Sequence, residues 1–325
     1  MPPTVVTAHG NPEDSQIERE LLQAIGANLA HVASLDTPDA RALLRTADAL
    51  IVTTHRVSTE LIASMERCKI ISRAGTGLDA IDIRAATKYG IWVAYVPDYS
   101  VDEVSSHAIA LLLAHARGIP WLVEATRNGK WTHQVVAPRK RLHGQTLGLL
   151  GFGRIGQAVA AKARGLGLEI IVHDPYLAPQ VIVDGGARPV DRETLLRESD
   201  YLSLHVPLTD ANWRFLDAQA LALMKPTAFV INTARGGLID EEALLNAVQA
   251  GQIAGAGLDV LTVEPPPADH PLLHEPRIII TPHSGWYSED ASHDVRVRAV
   301  EEVVRVLGGE QPRCPVNEIG DKVTR

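Results

Sequence analysis

One stretch limits what this chain can fold into more than any other: Thr146-Leu-Gly-Leu-Leu-Gly-Phe-Gly-Arg-Ile-Gly156, followed by Asp174. The apolar run 147–150 leads into Gly151, Gly153 and Gly156, and a helical pattern opens at Arg154 and Ile155. A second apolar run, 169–173, ends in Asp174, 23 residues past Gly151. Strand, glycine turn, helix and strand with a terminal acid form the βαβ unit that binds a dinucleotide. Gly151 makes the tight turn, Gly153 lets the backbone approach a pyrophosphate, and Gly156 lets helix and strand pack closely. The free N–H groups at the helix start attract the phosphates. A glycine-rich turn alone also occurs in unrelated α/β proteins; the order of parts carries the assignment.

Asp174 selects the cofactor. A carboxylate at that strand end accepts hydrogen bonds from ribose hydroxyls and repels a 2′-phosphate. Pro175 and Tyr176 follow, with no Arg to receive that phosphate. NAD is therefore expected rather than NADP. Asp174 also fits as a turn cap before Pro175, and the two roles are compatible.

The chain has 325 residues, room for two domains at roughly 100–200 residues each. A net charge of -8 argues against a nucleic-acid surface, and the cluster Arg139-Lys-Arg141 reads as a solvated loop. Cys68 and Cys314 form neither a disulfide framework nor a metal-ligand spacing, so no metal is expected. The start, Met1-Pro-Pro-Thr-Val-Val, has no signal-peptide pattern, and no apolar run approaches the ~18 residues of a membrane span. The expectation is a cytoplasmic protein without membrane or nucleic-acid partners.

Short apolar runs alternate with helical patterns throughout. Strands are predicted over 5–8, 49–52, 69–72 and 91–96, with helices over 17–25 and 59–65 between them. An apolar helical segment over 101–116 and a less regular stretch over 120–143, with Trp121 and Trp131, precede the dinucleotide unit. Further strands are predicted over 201–205, 227–232, 255–259 and 277–281, and a last helix over 288–307. The result is two α/β domains with doubly wound parallel sheets.

Open α/β sheets bind ligands outside the carboxyl ends of their strands. Arg235 follows one strand, Asp259 ends the next with Glu264 in its loop, and His283 follows the last. Singly, Arg235 fits as a helix cap, Glu264 as a solvated loop acid and His283 as a turn residue beside Pro282. Together, in one sheet with a dinucleotide fingerprint, they read as a catalytic set.

These segments resemble the D-isomer-specific 2-hydroxyacid dehydrogenases over nearly the whole chain. The likeness rests on the glycine-rich segment, His205-Val-Pro-Leu-Thr209, Met224-Lys-Pro226, Asn232-Thr-Ala-Arg-Gly-Gly-Leu-Ile-Asp-Glu-Glu-Ala-Leu244, Gly257-Leu-Asp-Val260 and Thr281-Pro-His283. Ile17-Glu-Arg-Glu20, Val96-Pro-Asp-Tyr-Ser-Val-Asp-Glu-Val104 and Pro282-His-Ser-Gly-Trp-Tyr-Ser288 resemble the branch related to C-terminal-binding proteins. Arg73-Ala-Gly-Thr-Gly77 resembles phosphoglycerate dehydrogenases.

The resemblance implies a discontinuous flavodoxin-like substrate domain, 1–98 and 287–325, into which a Rossmann NAD domain, 99–286, is inserted. The cleft would lie at the two crossings, and 100–145 would form a homodimer contact; the apolar stripe over 101–116 also reads simply as core. The implied reaction is reversible hydride transfer between NAD and a D-2-hydroxy acid or its 2-keto acid. His283 would supply and retrieve the proton, and Glu264 would orient it and favour its charged form. Arg235 would clamp the substrate carboxylate with its planar fork. The resemblance places Arg73, Ala74, Gly75 and Trp286 at the substrate, Trp286 reading equally as a core residue at the start of the last helix. It places Thr233, Ala234, Asp259, His283 and Gly285 at the nicotinamide side and His205, Val206 and Pro207 at the adenine side. Tyr95 stands where Asn is usual, Ser105-Ser106 where an Ala-acid pair is usual, and Asn212 where Thr is usual. An NAD-responsive scaffold and a dehydrogenase acting on an oxyanion such as phosphite remain alternatives.

Overall fold

The computed structural model describes residues 2–8, 15–136 and 138–319. Residues 1, 9–14, 137 and 320–325 of the expected domains lie outside them. The chain forms two compact units, 1–99 with 288–325, and 100–287.

The first unit holds a parallel sheet of β1 (Thr4–Ala8), β2 (Asn28–His31), β3 (Ala49–Val52), β4 (Ile70–Arg73) and β5 (Trp92–Tyr95). Their order is β2-β1-β3-β4-β5, the flavodoxin-like order. Strand residues alternate between faces. Val6, Leu50, Val52, Ile71 and Val93 join one buried layer, while Val5, Ile51, Ile70 and Ala94 join the other. That second layer is closed by the last helix, Glu289–Leu307, through Val295, Ala299, Val300, Val303 and Val306. Ser72 Oγ donates to the Ala299 carbonyl at 2.8 Å, fastening this helix to β4. The C-terminal segment therefore belongs with the N-terminal sheet. Strand β2 is an edge strand with no residue of its own fully buried, and no apolar run announces it.

The second unit holds seven parallel strands: β6 (Thr146–Leu150), β7 (Glu169–His173), β8 (Arg188–Pro189), β9 (Tyr201–Leu204), β10 (Phe229–Asn232), β11 (Gly255–Leu258) and β12 (Ile278–Ile280). Their order is β12-β11-β10-β9-β6-β7-β8, so the order reverses between β6 and β9, where ligands bind in such sheets. The helix Val101–Arg117 lays Ala108, Leu111, Leu112 and Ala116 on Leu147, Leu149, Phe229 and Ile231. The apolar stripe read from the sequence is thus core of this unit. The stretch expected to be irregular over 120–143 instead begins with a helix, Ile119–Arg127, which starts at the left-handed Gly118 with Pro120 in its first turn. Proline suits that position because its missing N–H has no helical partner there.

Candidate active site

The glycine turn after β6 is built by steric exclusion. A Cβ on Gly151 (φ +90°) would lie 2.7 Å from the His205 carbonyl oxygen, and one on Gly156 would lie 2.5 Å from the Gly151 carbonyl oxygen. Gly156 thereby seats the helix Arg154–Gly165 against the turn. Gly153 differs: a Cβ there would meet nothing within 4 Å. It faces open space at a helix start with no side-chain cap and no acid in its first turn. Such an end, with free amides and a positive dipole, suits a pyrophosphate.

Asp174, at the end of β7, is tied to that turn. Its Oδ2 accepts from the Phe152 amide at 2.9 Å and its Oδ1 from the Tyr176 amide at 3.0 Å. It therefore caps its own turn and braces the glycine loop, while a second lone pair on each oxygen stays available to ribose hydroxyls. Pro175 and Tyr176 stand exposed beside it. At the end of β9, His205 pairs with Ser203 Oγ at 2.9 Å, and burial pushes its imidazole down to about 4. Val206 packs against Gly151, and Asn212 closes the following loop, donating to the Pro207 carbonyl and accepting from Thr209 N–H. That closure gives the unusual Asn212 a job. Ser105 and Ser106 have one too: with Asp102 they surround Lys162 Nζ, joining the helix Val101–Arg117 to Arg154–Gly165.

The three chemistry-bearing residues sit on loops after β10, β11 and β12. Behind Arg235, the buried Asn232 side chain accepts from the Ala234 amide and donates to the Arg235 carbonyl, at 3.0 and 2.8 Å. The Arg235 guanidinium donates to the Ala234 carbonyl at 2.6 Å. A Cβ on the next residue, Gly236, would fall on the Leu261 carbonyl and the Thr262 amide nitrogen. The Arg235 and Glu264 loops are therefore in backbone contact. Thr233 Oγ1 is buried with no partner among the described residues, a polar atom left for a bound group.

Glu264 accepts from the Leu261 amide at 2.8 Å through Oε1, and its Oε2 lies 2.6 Å from His283 Nδ1. Burial pushes the Glu264 carboxyl up, but His283 and the Leu261 amide outweigh it and hold the group below its ordinary value. Glu264 is thus an anion that fixes the ring at Nδ1 and leaves Nε2 to exchange a proton. Both side chains are partly exposed.

Asp259 is nearly sealed, at 3% exposure. Its Oδ1 accepts from Thr281 Oγ1 at 2.6 Å and Ser284 N–H at 2.9 Å, its Oδ2 from Gly285 N–H at 2.9 Å. Its carbonyl accepts from His283 N–H at 2.8 Å. Burial pushes its carboxyl up, and His107, Thr281 and the two amides bring it below the usual range. Asp259 therefore anchors the loop carrying His283, work its place in the sequence does not reveal. His107 was equally hidden, as a lone histidine on an apolar helix. Trp286 sits in a turn ahead of the last helix, not in it, partly exposed and edge-on to Tyr287 at 5.6 Å.

Arg73, Ala74 and Gly75 lie in the first unit, at the end of β4. The Arg73 guanidinium folds back onto this loop, with Nε donating to the Gly77 carbonyl at 2.9 Å and Nη1 to the Ala74 carbonyl at 2.5 Å. In the second unit, a cavity of about 770 Å³ opens at the amino ends of the strands, between His115, Arg139, Tyr201 and Ile253. It contains none of the residues above. Among the described residues, no cluster of three or more His, Cys, Asp or Glu could hold a metal.

The model of the D-isomer specific 2-hydroxyacid dehydrogenase NAD binding domain matches residues 109–285. The chain is 39% identical over 282 residues to the glyoxylate reductase of Thermococcus litoralis, covering 85% of each chain. It is 40% identical over 281 residues to the D-3-phosphoglycerate dehydrogenase of Methanocaldococcus jannaschii, covering 84% of this chain and 52% of that one. The chain thus spans about half the length of that phosphoglycerate dehydrogenase. A D-lactate dehydrogenase from Aquifex aeolicus, solved with NAD and lactic acid, superimposes with a TM-score of 0.85 at 28% identity, covering 94% of this chain and 96% of that one.

Proposed function

This chain belongs to the D-isomer-specific 2-hydroxyacid dehydrogenase family, and we propose that it is an NAD-dependent enzyme interconverting a D-2-hydroxy acid and its 2-keto acid. One observation carries the reading: an imidazole whose Nδ1 is held by an ionised carboxylate, in the same sheet as a glycine turn with open space above Gly153.

The residues fit NAD. Gly151, Gly153, Arg154, Ile155 and Gly156 would receive the pyrophosphate, Asp174 the adenosine ribose, and His205, Val206 and Pro207 the adenine side. Thr233, Ala234, Asp259 and Gly285 would border the nicotinamide. When bound, NAD supplies the hydride chemistry at the carbon next to the substrate carboxylate. The chain's own residues do the rest. His283 holds a proton at Nε2 for the carbonyl oxygen in reduction and takes it back in oxidation. Glu264 stabilises the charged ring and keeps it turned correctly. Arg235 offers a planar fork to the carboxylate, which a lysine cannot match. In the first unit the Ala74 and Gly75 amides donate to the Val52 and Arg73 carbonyls, at 2.8 and 2.9 Å, so the loop expected to face the substrate spends both N–H groups on its own backbone. Trp286 would border the substrate.

We place the protein in the cytoplasm as a homodimer. Ile119, Val123, Trp131 and Val135 are large apolar residues exposed along one short stretch, Trp131 at 91%. Such a cluster suits burial against a second copy. Neither Cys68 nor Cys314 is in a disulfide, which suits a reducing compartment. Among the described residues, no single helix is long and apolar enough to cross a membrane.

The test is a panel of 2-keto acids with NADH, followed by absorbance; turnover strongly favouring one acid supports the enzyme, and none on any acid rejects it. Light scattering at micromolar concentration decides the dimer, which a species of only 35.1 kDa would exclude.

A further inference from the structure

The Nε2 of His107, on the helix Val101–Arg117, lies 2.8 Å from Thr281 Oγ1 and 3.4 Å from Asp259 Oδ1. Thr281 Oγ1 lies 2.6 Å from the same Asp259 oxygen. Two oxygens at that distance need a proton between them, and Asp259, held below its usual range, does not carry it. The threonine's one proton therefore goes to Asp259, leaving Thr281 Oγ only able to accept. His107 must then donate through Nε2–H. Hydrogen bonds passed along such a half-buried chain polarise and reinforce one another.

The steric fit is equally tight. A Cβ on Gly285 would stand 2.8 Å from Asp259 Oδ2 and 3.2 Å from His107 Cδ2. The peptide of Gly285 is thus pinned between the imidazole and the carboxylate. The residue two positions earlier, His283, has φ +51°, a left-handed conformation that a side chain rarely adopts. Its amide is shared by the Asp259 and Thr281 carbonyls, at 2.8 and 3.0 Å. The segment 281–285 therefore holds an unfavourable backbone shape because the Asp259 carboxylate accepts from Thr281, Ser284 and Gly285 at once.

We propose that His107 is a positioning residue for the His283 loop, acting as the Nε2–H donor that sets the Thr281 hydroxyl on Asp259 and so fixes where the His283 imidazole stands. The proposal rests on the reading of His283 as the proton donor of a 2-keto-acid reduction. It makes a helix of the domain core part of the catalytic geometry, acting through Thr281 and Asp259.

The test compares wild type with H107L, H107N and H107Q. The Gln amide nitrogen reaches about where Nε2 stands, whereas Asn stops near Nδ1. In H107L and H107N, kcat for the best 2-keto acid should fall on the order of tenfold, as expected from losing one hydrogen bond in a charged network. The NADH KM should stay within about threefold. Exchange of the Ser284 and Gly285 amides, followed by mass spectrometry without cofactor or substrate, should accelerate in the same two variants. H107Q should restore both readouts. Amide exchange and kcat in H107L and H107N equal to wild type, or no rescue by H107Q, overturn the proposal. If H107L fails to fold, the Asn and Gln pair decides alone. If wild type turns over no 2-keto acid, the functional reading fails, while amide exchange still judges the donor role.

Discussion

His283 Nδ1 and Glu264 Oε2 lie 2.6 Å apart, and Glu264's other oxygen is occupied by the Leu261 amide at 2.8 Å. The carboxylate is thus held at both ends and presents one fixed face to the ring. Because His283 and Leu261 hold its carboxyl below the ordinary value despite burial, Glu264 is ionised throughout the neutral range. In E264Q that negative charge is gone, so the ring gives up its proton more readily. Keto-acid reduction, which needs the protonated ring, should then fade at lower pH than in wild type, with a milder loss of kcat than from removing His283. Rates between pH 5 and 9 check this; unchanged profiles would separate Glu264 from the proton transfer.

Asp174 makes a claim on the cofactor. NADH should bind tighter than NADPH by a few kcal/mol, on the order of a hundredfold or more, because a 2′-phosphate would be buried against a carboxylate. D174A should lose that preference. It should also weaken NADH, since the Phe152 amide loses its acceptor and the glycine turn its brace. Fluorescence titration with both cofactors measures each effect, and equal affinities in wild type would reject the role given to Asp174.

Gly236 joins the Arg235 loop to the Glu264 loop by direct backbone contact. G236A must push Leu261 and Thr262 away, an overpacking that costs about 1–3 kcal/mol. It should lower both the thermal midpoint and kcat, since Arg235 and Glu264 move apart. A variant with wild-type kcat would show that the contact does not set the catalytic geometry.

The buried His115 and the half-buried His205 set the acid limit. His115, stacked on Phe229 at 3.8 Å, is pushed down to about 3 by burial and by the Arg139 charge, and His205 to about 4 by burial. Unfolded, both titrate near 6.5. Below that pH the unfolded chain binds protons the folded one refuses, so stability is full above about 6.5 and falls as pH drops towards 4. Two such sites give a slope of roughly 2.7 kcal/mol per pH unit in that window. Chemical denaturation at pH 7, 6 and 5 measures it, and H115F should remove about half.

Much of this was legible in the chain itself. Arg235, Glu264 and His283 could be placed because each follows an apolar run long enough to read as a buried parallel strand, and such strands deliver their next residues to one edge. The same logic gave the glycine turn and Asp174. What stayed hidden depends on pairings between distant segments. Nothing local ties His107 to Thr281, 174 positions away, and a histidine in an apolar helical stripe reads as core. Asn232 looks like the end of a strand until its side chain is seen bracing Ala234 and Arg235. Strand β8 is two residues ending in proline at a sheet edge, too short for any period to register.

The central claim is that His283 exchanges the substrate's proton. Steady-state kinetics of H283A beside wild type, on the best 2-keto acid with NADH, test it most directly. General acid–base catalysis contributes roughly 10²–10⁴-fold, so kcat should fall by about that factor while NADH affinity, measured by fluorescence, stays nearly intact. Near-wild-type turnover in H283A would contradict the assignment.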